Sequence, residues 1–178
     1  MRVALEMAEP GVVTDSLREE VDALGSMVTE ILETERLKSD AGGLRREDTD
    51  LNALVEAKVA RFAADGPGVV RTGGALPHVS VDGERIRLVL RNLIENALKY
   101  GAGATRPVEV STRMESGFAV IAVRDFGPGV PEAEQRLIFE PFYRTDRSRT
   151  GSQGYGLGLP LCRRIVEAHG GSITFASR

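Results

Sequence analysis

Apolar residues recur every three or four positions along the first part of the chain, and this spacing predicts a helix. The clearest seam runs from Leu17 to Ile31, with apolar residues at positions 17, 21, 24, 28 and 31. Such spacing is typical of a helix that packs against other helices in a bundle or coiled coil. Residues 14–16 offer a cap, and the helix is expected to run to about Lys38. The alternative is that it packs on the globular part of its own chain.

The rest of the pattern alternates between helices and strands. Arg2–Glu9, before the seam-bearing helix, is expected to form the last two turns of a helix whose start is missing. The later predicted elements are, in order, a helix capped within Asp48–Asp50 and ending near Ala64, strands at Val69–Thr72 and His78–Val81, a helix from Asp82 to Gly101, a hairpin of Pro107–Met114 and Phe118–Arg124, a short helix at Pro131–Ile138, a mobile polar loop at Tyr143–Gly154, a helix starting at Leu159 or Pro160 and ending at His169, and a strand at Ser172–Ala176. This order predicts an α+β sandwich with helices on one face of a mixed sheet.

Composition sets broad limits on this picture. The 178 residues are 42% hydrophobic and 28% charged, with 23 basic and 26 acidic side chains and a formal net charge of −3. These values are ordinary for a globular protein, and the slightly acidic balance does not favour nucleic-acid binding. No apolar run has the length needed to cross a bilayer, and the single Cys162 excludes an internal disulfide. We expect a cytoplasmic protein.

The helix from Asp82 to Gly101 has polar residues suited to nucleotide chemistry on one side. At about 100° per residue, Asn92, Asn96 and Lys99 share this side, and the apolar residues lie opposite. A carboxamide oxygen is a suitable ligand for Mg²⁺, and an ammonium group suits phosphate. Taken alone, the stretch is equally compatible with an ordinary amphipathic helix whose polar residues are solvated.

Two glycine-rich stretches extend the pattern. Asp125–Gly129 (DFGPG) directly follows a predicted strand, so its glycines permit a tight bend and its carboxylate can accept a hydrogen bond from an amine such as that of adenine. Gly154–Leu159 (GYGLGL) precedes a predicted helix, where exposed amides favour a phosphate. Its spacing matches neither a Walker A loop nor a dinucleotide fingerprint. Singly, a plain turn and a flexible linker are the alternatives.

The stretch between these glycines carries aromatic and basic residues. Phe139 and Phe142 are expected to anchor one end of the polar loop in the core. Arg144, Arg147 and Arg149 would then be carried on the loop within reach of phosphate oxygens. The alternative is that these arginines are simply solvated.

Together, these stretches resemble the nucleotide-binding boxes of bacterial two-component sensor histidine kinases. In chain order they are similar to the N box (Asn92–Tyr100), the G1 box (Asp125–Gly129), the F box (Phe139–Phe142) and the G2 box (Gly154–Leu159). The resemblance covers about Leu17 to Ala176 and implies the Bergerat ATP-binding fold, a two-layer sandwich preceded by a helical dimerisation segment. Residues 1–43 would be part of the dimerisation and histidine-phosphotransfer helices, and residues 44–178 the ATP-binding domain.

The resemblance also implies roles for individual residues. Asp125 would bind adenine, Asn96 would ligate Mg²⁺, and Asn92 and Lys99 would lie near the metal and the phosphates. The polar loop would be the ATP lid. The full implied set of ATP-binding residues is Asn92, Asn96, Lys99, Tyr100, Asp125, Gly127, Gly129, Phe142, Arg144, Gly154, Gly156, Leu157, Gly158 and Leu159.

Partners follow from the same resemblance. A protein of this family takes ATP and Mg²⁺, acts on its own histidine phosphotransfer domain, relays the phosphoryl group to a response regulator and forms a homodimer through the N-terminal helix. Nucleic acid is not an expected partner. The full-length parent would be cytoplasmic, with or without an anchor in the inner membrane.

Asn92 separates this family from related hydrolases. Gyrase-type and mismatch-repair ATPases, and the anti-sigma serine kinases, carry a glutamate four residues before the metal-binding asparagine, where it serves as a base. The amide of Asn92 cannot act as a base, which favours a kinase whose nucleophile is an imidazole. The alternatives are another Bergerat-fold ATPase or protein serine kinase, and a degenerate ATP-binding interaction module.

The sequence departs from the family in two places. The phosphoacceptor box is absent, because neither His78 nor His169 has the neighbours of the acceptor histidine or lies on the seam-bearing helix. Both histidines, and Cys162, are expected to have structural roles. The resemblance implies that the chain begins just beyond the acceptor and stops one strand short. We therefore expect ATP–Mg²⁺ binding without autophosphorylation on histidine.

Overall fold

The computed structural model describes residues 21, 24–25, 27–29, 31–36, 43–63, 68–144 and 155–177. From residue 43 onward, these contain two short 3₁₀ turns (Glu132–Glu134 and Leu137–Phe139) and the following helices and strands: β1 (Glu47–Thr49), α1 (Leu51–Phe62), β2 (Val69–Gly73), β3 (Val79–Val81), α2 (Gly83–Tyr100), β4 (Val108–Glu115), β5 (Phe118–Arg124) and α3 (Gly158–Ala168). The described residues between 21 and 36 are all helical, as the apolar seam predicts.

The strands form a mixed three-stranded sheet and a separate two-stranded ribbon. In the larger sheet β2 is parallel to β4, with Val69 opposite Val108, and β4 is antiparallel to β5, with Val110 opposite Val123. The ribbon pairs β1 with β3 in antiparallel fashion. A parallel pair requires a long crossover, and here the crossover contains α2, so the chain itself carries that helix across the sheet.

Helix boundaries are set by side-chain caps and a terminal glycine. The carboxylate of Asp50 accepts hydrogen bonds from the amides of Asn52 (2.8 Å) and Ala53 (3.2 Å) at the start of α1. Asp82 does the same for α2, accepting from the amide of Arg85 at 3.2 Å. Gly101 ends α2, where a Cβ would lie only 2.6 Å from the carbonyl oxygen of Ala97. These caps satisfy backbone groups that a helix end otherwise leaves unpaired.

The core has two main parts, and α2 contributes to both. Its first face packs with α1 against the larger sheet, in a cluster of Val55, Phe62, Val69, Leu90, Ile94, Ala97, Val108 and Val110. A second face packs on α3, in a cluster of Val89, Leu161, Cys162 and Ile165. Burial on two faces fixes the rotation of α2, so its remaining polar side has one defined direction.

Most predicted elements are confirmed with boundaries within a few residues. The two histidines and the cysteine also have the expected structural surroundings. The Nε2 atom of His169 accepts a hydrogen bond from the amide of Asp82 at 2.9 Å, and the ring of exposed His78 lies 3.1 Å from the carboxylate of Asp48. Cys162 is fully buried. Strand β1 was not predicted, because three residues are too few to show a period.

Two local predictions are wrong. The stretch Pro131–Ile138 forms two 3₁₀ turns in place of a helix, since none of these residues is buried and no apolar face could support several turns. The helix predicted to start at Leu159 or Pro160 is confirmed as α3; it begins at Gly158, so Pro160 is its third residue, where a missing amide is still harmless. Residues 171–177 contain no strand, because a strand needs a pairing partner and β5 pairs only with β4 among the described residues.

Candidate functional site

The polar side of α2 forms the floor of the candidate site. Asn92 is buried, and Asn96 and Lys99 are half-buried along the same side of the helix. Leu90 and Ile94, almost completely buried on the opposite side, hold the helix against the sheet. The three polar side chains therefore lie where the helical period predicts, next to one another and facing away from the main core.

Asn92 has an unusual position for a polar residue. Its side chain is only 6% exposed, yet its amide nitrogen has no hydrogen-bond partner within the part of the chain that the structure describes. A buried donor without a partner costs about 1–3 kcal/mol. The cost is recovered if a bound ligand supplies an acceptor, and the oxygen atoms of a polyphosphate are suitable acceptors.

Lys99 faces a second cation across the site. Burial lowers the pKa of its ammonium group, and the positive charge of Arg144 lowers it further. Arg144 follows the F box, about 45 residues later in the chain, so the fold brings the two cations together. Two like charges in a half-buried position repel each other, and a polyanion between them would remove the repulsion.

The turn at Asp125 lies against the end of α2. Its Oδ1 atom accepts a hydrogen bond from the amide of Gly127 at 2.9 Å. Gly127 packs so closely on α2 that a Cβ would lie 2.2 Å from the carbonyl oxygen of Tyr100. No side chain fits there, so a glycine is required by contact. A carboxylate accepts several hydrogen bonds, and Asp125 keeps capacity for a ligand amine.

The F box and the G2 box meet beside α3. Phe139 is buried, with the guanidinium of Arg163 4.0 Å above its ring. The amide of Phe142 donates to the carbonyl oxygen of Gly156 at 3.0 Å, which joins the two chain positions that flank residues 145–154. Gly156 has a φ of +73°, and a Cβ there would lie 2.6 Å from the carbonyl oxygen of Tyr143.

Phe142 does not anchor the loop in the core, contrary to the sequence prediction. Its side chain is 65% exposed and its backbone has a φ of +65°. The anchoring on this side comes from the backbone hydrogen bond to Gly156 and from Tyr143, whose hydroxyl donates to Glu134 at 3.1 Å. A left-handed φ turns the Phe142 side chain outward, and no sequence pattern indicates this conformation for a phenylalanine.

The first residues of α3 form the predicted anion-binding end of a helix. Leu157 occupies the position directly before α3, and no side-chain cap hydrogen bond is made there. Gly156 and Gly158 lie on either side of Leu157. The first amides of an uncapped helix point outward and carry partial positive charge. Leu159 is half-buried in the first turn. Gly154, Arg147 and Arg149 lie outside the described residues.

The predicted site residues are thus brought together from four separate stretches. Gly127 contacts Tyr100, Arg144 influences Lys99, and Gly156 binds Phe142. Gly129 completes the turn after Asp125 with a φ of +72°. Glu95 is the nearest carboxylate to Asn96 along the chain. Its carboxylate lies 3.9 Å from Arg91, one turn back on the helix. This position agrees with the prediction that Glu95 is turned about 100° away from Asn96.

A divalent metal would find few protein ligands here. Among the described residues, no group of three histidine, cysteine, aspartate or glutamate side chains is arranged to hold a metal ion. Mg²⁺ is commonly bound through one or two protein oxygens together with substrate phosphates. The half-buried amide of Asn96, one turn from the orphan amide of Asn92, fits that mode of binding.

Comparison with known proteins identifies the class to which this fold and site belong. The sequence model of the histidine kinase-, DNA gyrase B- and HSP90-like ATPases matches residues 81–178. The chain belongs to this family. The match contains the α2 polar side, the Asp125 turn, the F box and the start of α3, which are the parts that form the candidate site.

Curated relatives narrow the class. The adaptive-response sensory kinase SasA of Synechococcus sp. is 39% identical over 171 residues, covering 89% of this chain and 43% of that protein. The signal transduction histidine-protein kinase AfsQ2 of Streptomyces coelicolor is 35% identical over 172 residues, covering 94% of this chain and 30% of that protein. The chain spans less than half the length of these relatives.

Solved structures agree with the relatives. Full-length ShkA in complex with AMPPNP has a TM-score of 0.72 and 30% identity, covering 92% of this chain and 35% of that chain. The Acinetobacter baumannii histidine kinase AdeS has a TM-score of 0.75 and 25% identity, covering 97% of this chain and 81% of that chain. Within its family, the chain is therefore the ATP-binding catalytic region of a two-component sensor histidine kinase.

No helix among its described residues is long and apolar enough to span a membrane.

Proposed function

We propose that this catalytic region binds ATP–Mg²⁺ and transfers the γ-phosphoryl group to a histidine of its own phosphotransfer domain, for relay to a response regulator. The observation that carries the proposal is Asn92, a buried amide whose nitrogen has no partner among the residues that the structure describes, at the position where the hydrolases of the family carry a base. An amide can orient a phosphate but cannot deprotonate water.

Adenine is assigned to the Asp125 turn. The carboxylate is held by the amide of Gly127 and lies beside the end of α2, with Tyr100 next to it. We assign Asp125 as the acceptor for the exocyclic amine of adenine. A hydrogen bond to an ionised acceptor is stronger than a neutral one, so this contact would contribute much of the preference for adenine.

We assign the triphosphate to the cations Lys99 and Arg144 and to the start of α3. Lys99 and Arg144 converge on one region, and the uncapped start of α3 adds partial positive charge. Asn96 would hold Mg²⁺ together with phosphate oxygens, with Asn92 donating beside it. When bound, Mg²⁺ neutralises charge on the phosphates and orients the γ-phosphoryl group.

Positioning is the main contribution that these residues would make to the reaction. Phosphoryl transfer has a loose transition state, so alignment and charge stabilisation account for most of the catalysis. An imidazole nucleophile needs no strong base, which agrees with the amide at position 92. The reaction takes place where ATP and response regulators are found, and we assign the region to the cytoplasm.

The N-terminal helical residues are assigned to a homodimer. Val21, Leu24, Val28 and Ile31 repeat along the described part of this helix, and each is 40–65% exposed. Side chains of this kind at seam positions gain free energy when a second helix covers them. We propose that the second helix belongs to another copy of the chain, within the phosphotransfer domain.

Calorimetry and turnover assays test the proposed function together. We expect stoichiometric binding of ATP–Mg²⁺ and no sustained ATP hydrolysis. We also expect no acid-labile phosphate on the chain alone, because His78, next to β3, and His169, at the end of α3, both make structural contacts. Sustained hydrolysis would support the ATPase alternative. Failure to bind any nucleotide would support a degenerate interaction module, and an acid-labile phosphoprotein would contradict the structural assignment of both histidines.

A further inference from the structure

The ring of Phe126 lies close to the guanidinium groups of two arginines. The guanidinium of Arg106 lies 3.8 Å from the centroid of the ring, and that of Arg124 lies 4.8 Å from it. The ring itself is half-buried. A cation near an aromatic face is attracted by the ring quadrupole, and two such contacts on one ring restrict its position more than either does alone.

Glu109 neutralises one of the two arginines. Its carboxylate accepts a hydrogen bond from the guanidinium of Arg106 at 3.0 Å. In the β4–β5 register, Glu109 is the residue opposite Arg124. We call the three side chains of Phe126, Arg106 and Arg124 the Phe126 clamp.

The clamp holds the residue next to the contact between Gly127 and α2. Phe126 is the residue between Asp125 and Gly127, and the Gly127 backbone is pressed against the carbonyl oxygen of Tyr100. Because the ring is in contact with two arginines and the glycine is in contact with α2, the peptide units of the turn have little freedom to rotate. The direction of the Asp125 carboxylate is set by these units.

We propose that Phe126 is a positioning residue that holds Asp125 in the orientation that selects adenine, and that Arg106 and Arg124 act through its ring. The inference rests on the proposed adenine role of Asp125. None of the three clamp side chains needs to touch the nucleotide. The preference for the amine of adenine would then depend on the aromatic ring of Phe126, the residue that directly follows the acceptor Asp125.

The test compares ATP with purine riboside triphosphate, which is the same nucleotide without the exocyclic amine. Wild-type protein should bind ATP roughly tenfold or more tightly than the analogue, as expected for a bond to a carboxylate. Phe126→Leu, which keeps apolar bulk but removes the ring face, should reduce this preference by roughly fivefold. Phe126→Tyr, which keeps the ring face, should retain it. Affinity for the analogue should be the same in all three proteins.

The outcomes separate this inference from the adenine assignment. If wild-type protein does not distinguish the two nucleotides, Asp125 has no adenine role and the inference fails with it. If wild-type protein distinguishes them and Phe126→Leu does so equally well, the adenine role stands and the clamp is overturned. Equal weakening of both nucleotides in Phe126→Leu would indicate general structural damage and would also overturn the positioning role.

A double-mutant cycle tests the clamp with a milder change. Arg106→Gln removes one cation from an exposed position, so folding should be preserved. It should lower the preference for ATP two- to threefold in the wild-type background, by roughly the strength of one exposed cation–π contact, and have almost no effect in Phe126→Leu. The matched control is Arg113→Gln on β4, because this arginine pairs with Glu115 at 2.6 Å and its removal should not alter the preference. Additive effects of the Arg106 and Phe126 changes would overturn the clamp.

Discussion

The polar side chains at the two ends of α2 differ in the hydrogen bonds that they make. At the first end, Asp82 accepts from the amides of Arg45 (3.1 Å) and Arg85 (3.2 Å), and its own amide donates to His169. Every one of these bonds is made within the protein. Toward the other end, the amide nitrogen of Asn92 has no partner among the described residues.

The charged side chains at the two ends of α2 also differ. At the first end, the guanidinium of Arg85 lies 3.4 Å from Glu33 of the N-terminal helical segment and 3.8 Å from Asp82, so opposite charges are paired. At the other end, Lys99 and Arg144 carry like charges near each other. The comparison indicates that hydrogen bonds and ion pairs within the protein hold the first end of α2, whereas the buried amide nitrogen of Asn92, unpartnered among the described residues, is available to a ligand.

The largest effect is expected at the satisfied end. Asp82→Ala removes two backbone hydrogen bonds and one of the two carboxylates beside Arg85, so the free energy of unfolding should fall by about 2–4 kcal/mol. Urea unfolding measures this loss. The affinity of the folded protein for ATP should change less than twofold.

An exposed aspartate provides the control for this change. Asp48 lies on β1 with a side chain that is 78% exposed, and Asp48→Ala should leave the unfolding free energy nearly unchanged. If Asp82→Ala is equally mild, the network at the start of α2 does not stabilise the fold, and the comparison between the two ends fails.

The next largest effect is expected at the ligand end, and it should appear in binding. Asp125→Asn removes the charge of the proposed adenine acceptor, and ATP affinity should fall by about 10- to 100-fold. Calorimetry measures the affinity, and urea unfolding should show little change. Unchanged affinity would remove Asp125 from the adenine role.

For the amide of Asn92 we predict opposite effects of substitution on stability and on ATP binding. Asn92→Leu replaces a buried donor without a partner by an apolar group of similar size, so nucleotide-free protein should keep its stability or gain about 1 kcal/mol. Its affinity for ATP–Mg²⁺ should fall at the same time. Loss of stability in the free protein would mean that the amide is satisfied there.

Asn52 is the matched control for this change, because its amide is fully used. Its nitrogen donates to the carbonyl of Leu76 at 2.7 Å, and its oxygen accepts from the amide of Leu76 at 2.9 Å and from Arg71 at 2.8 Å. Asn52→Leu should therefore lower the unfolding free energy by about 1–3 kcal/mol. ATP affinity should be unaffected.

Local pattern was sufficient to predict much of the fold and the floor of the site. The period of apolar residues predicts α2 and the side on which Asn92, Asn96 and Lys99 lie, because helix geometry converts spacing directly into direction. The caps at Asp50 and Asp82 are local signals too, since each accepts from amides within three residues. The resemblance then indicates the role of each polar residue.

Contacts between distant residues could not be predicted in this way. The bond between Asp82 and His169 joins positions 87 residues apart, and nothing in either neighbourhood indicates the other. The ring of Phe126 finds Arg106 only because two strands and a loop bring them together. The strand predicted at Ser172–Ala176 fails for the same reason, since a period of two cannot supply a pairing partner.

The smallest predicted effect is a proton uptake that reports on Lys99. In the free protein, burial and the charge of Arg144 hold the pKa of Lys99 below its ordinary value. Bound phosphates favour the charged ammonium, so this pKa should be higher in the complex. In the alkaline range between the two values, the free protein has lost the proton and the complex keeps it. ATP binding should then take up a fraction of a proton, and affinity should fall as the pH rises through this range.

Calorimetry in two buffers of different ionisation enthalpy measures the uptake, just below the ordinary pKa of lysine. Lys99→Met should abolish it. Lys58, whose pKa burial also lowers, lies on α1 beside Arg61 and Arg91, so Lys58→Met should leave the uptake intact. If wild-type protein takes up no proton, the phosphates do not lie beside Lys99. The two cations at this end of α2 would then have no role in binding the triphosphate.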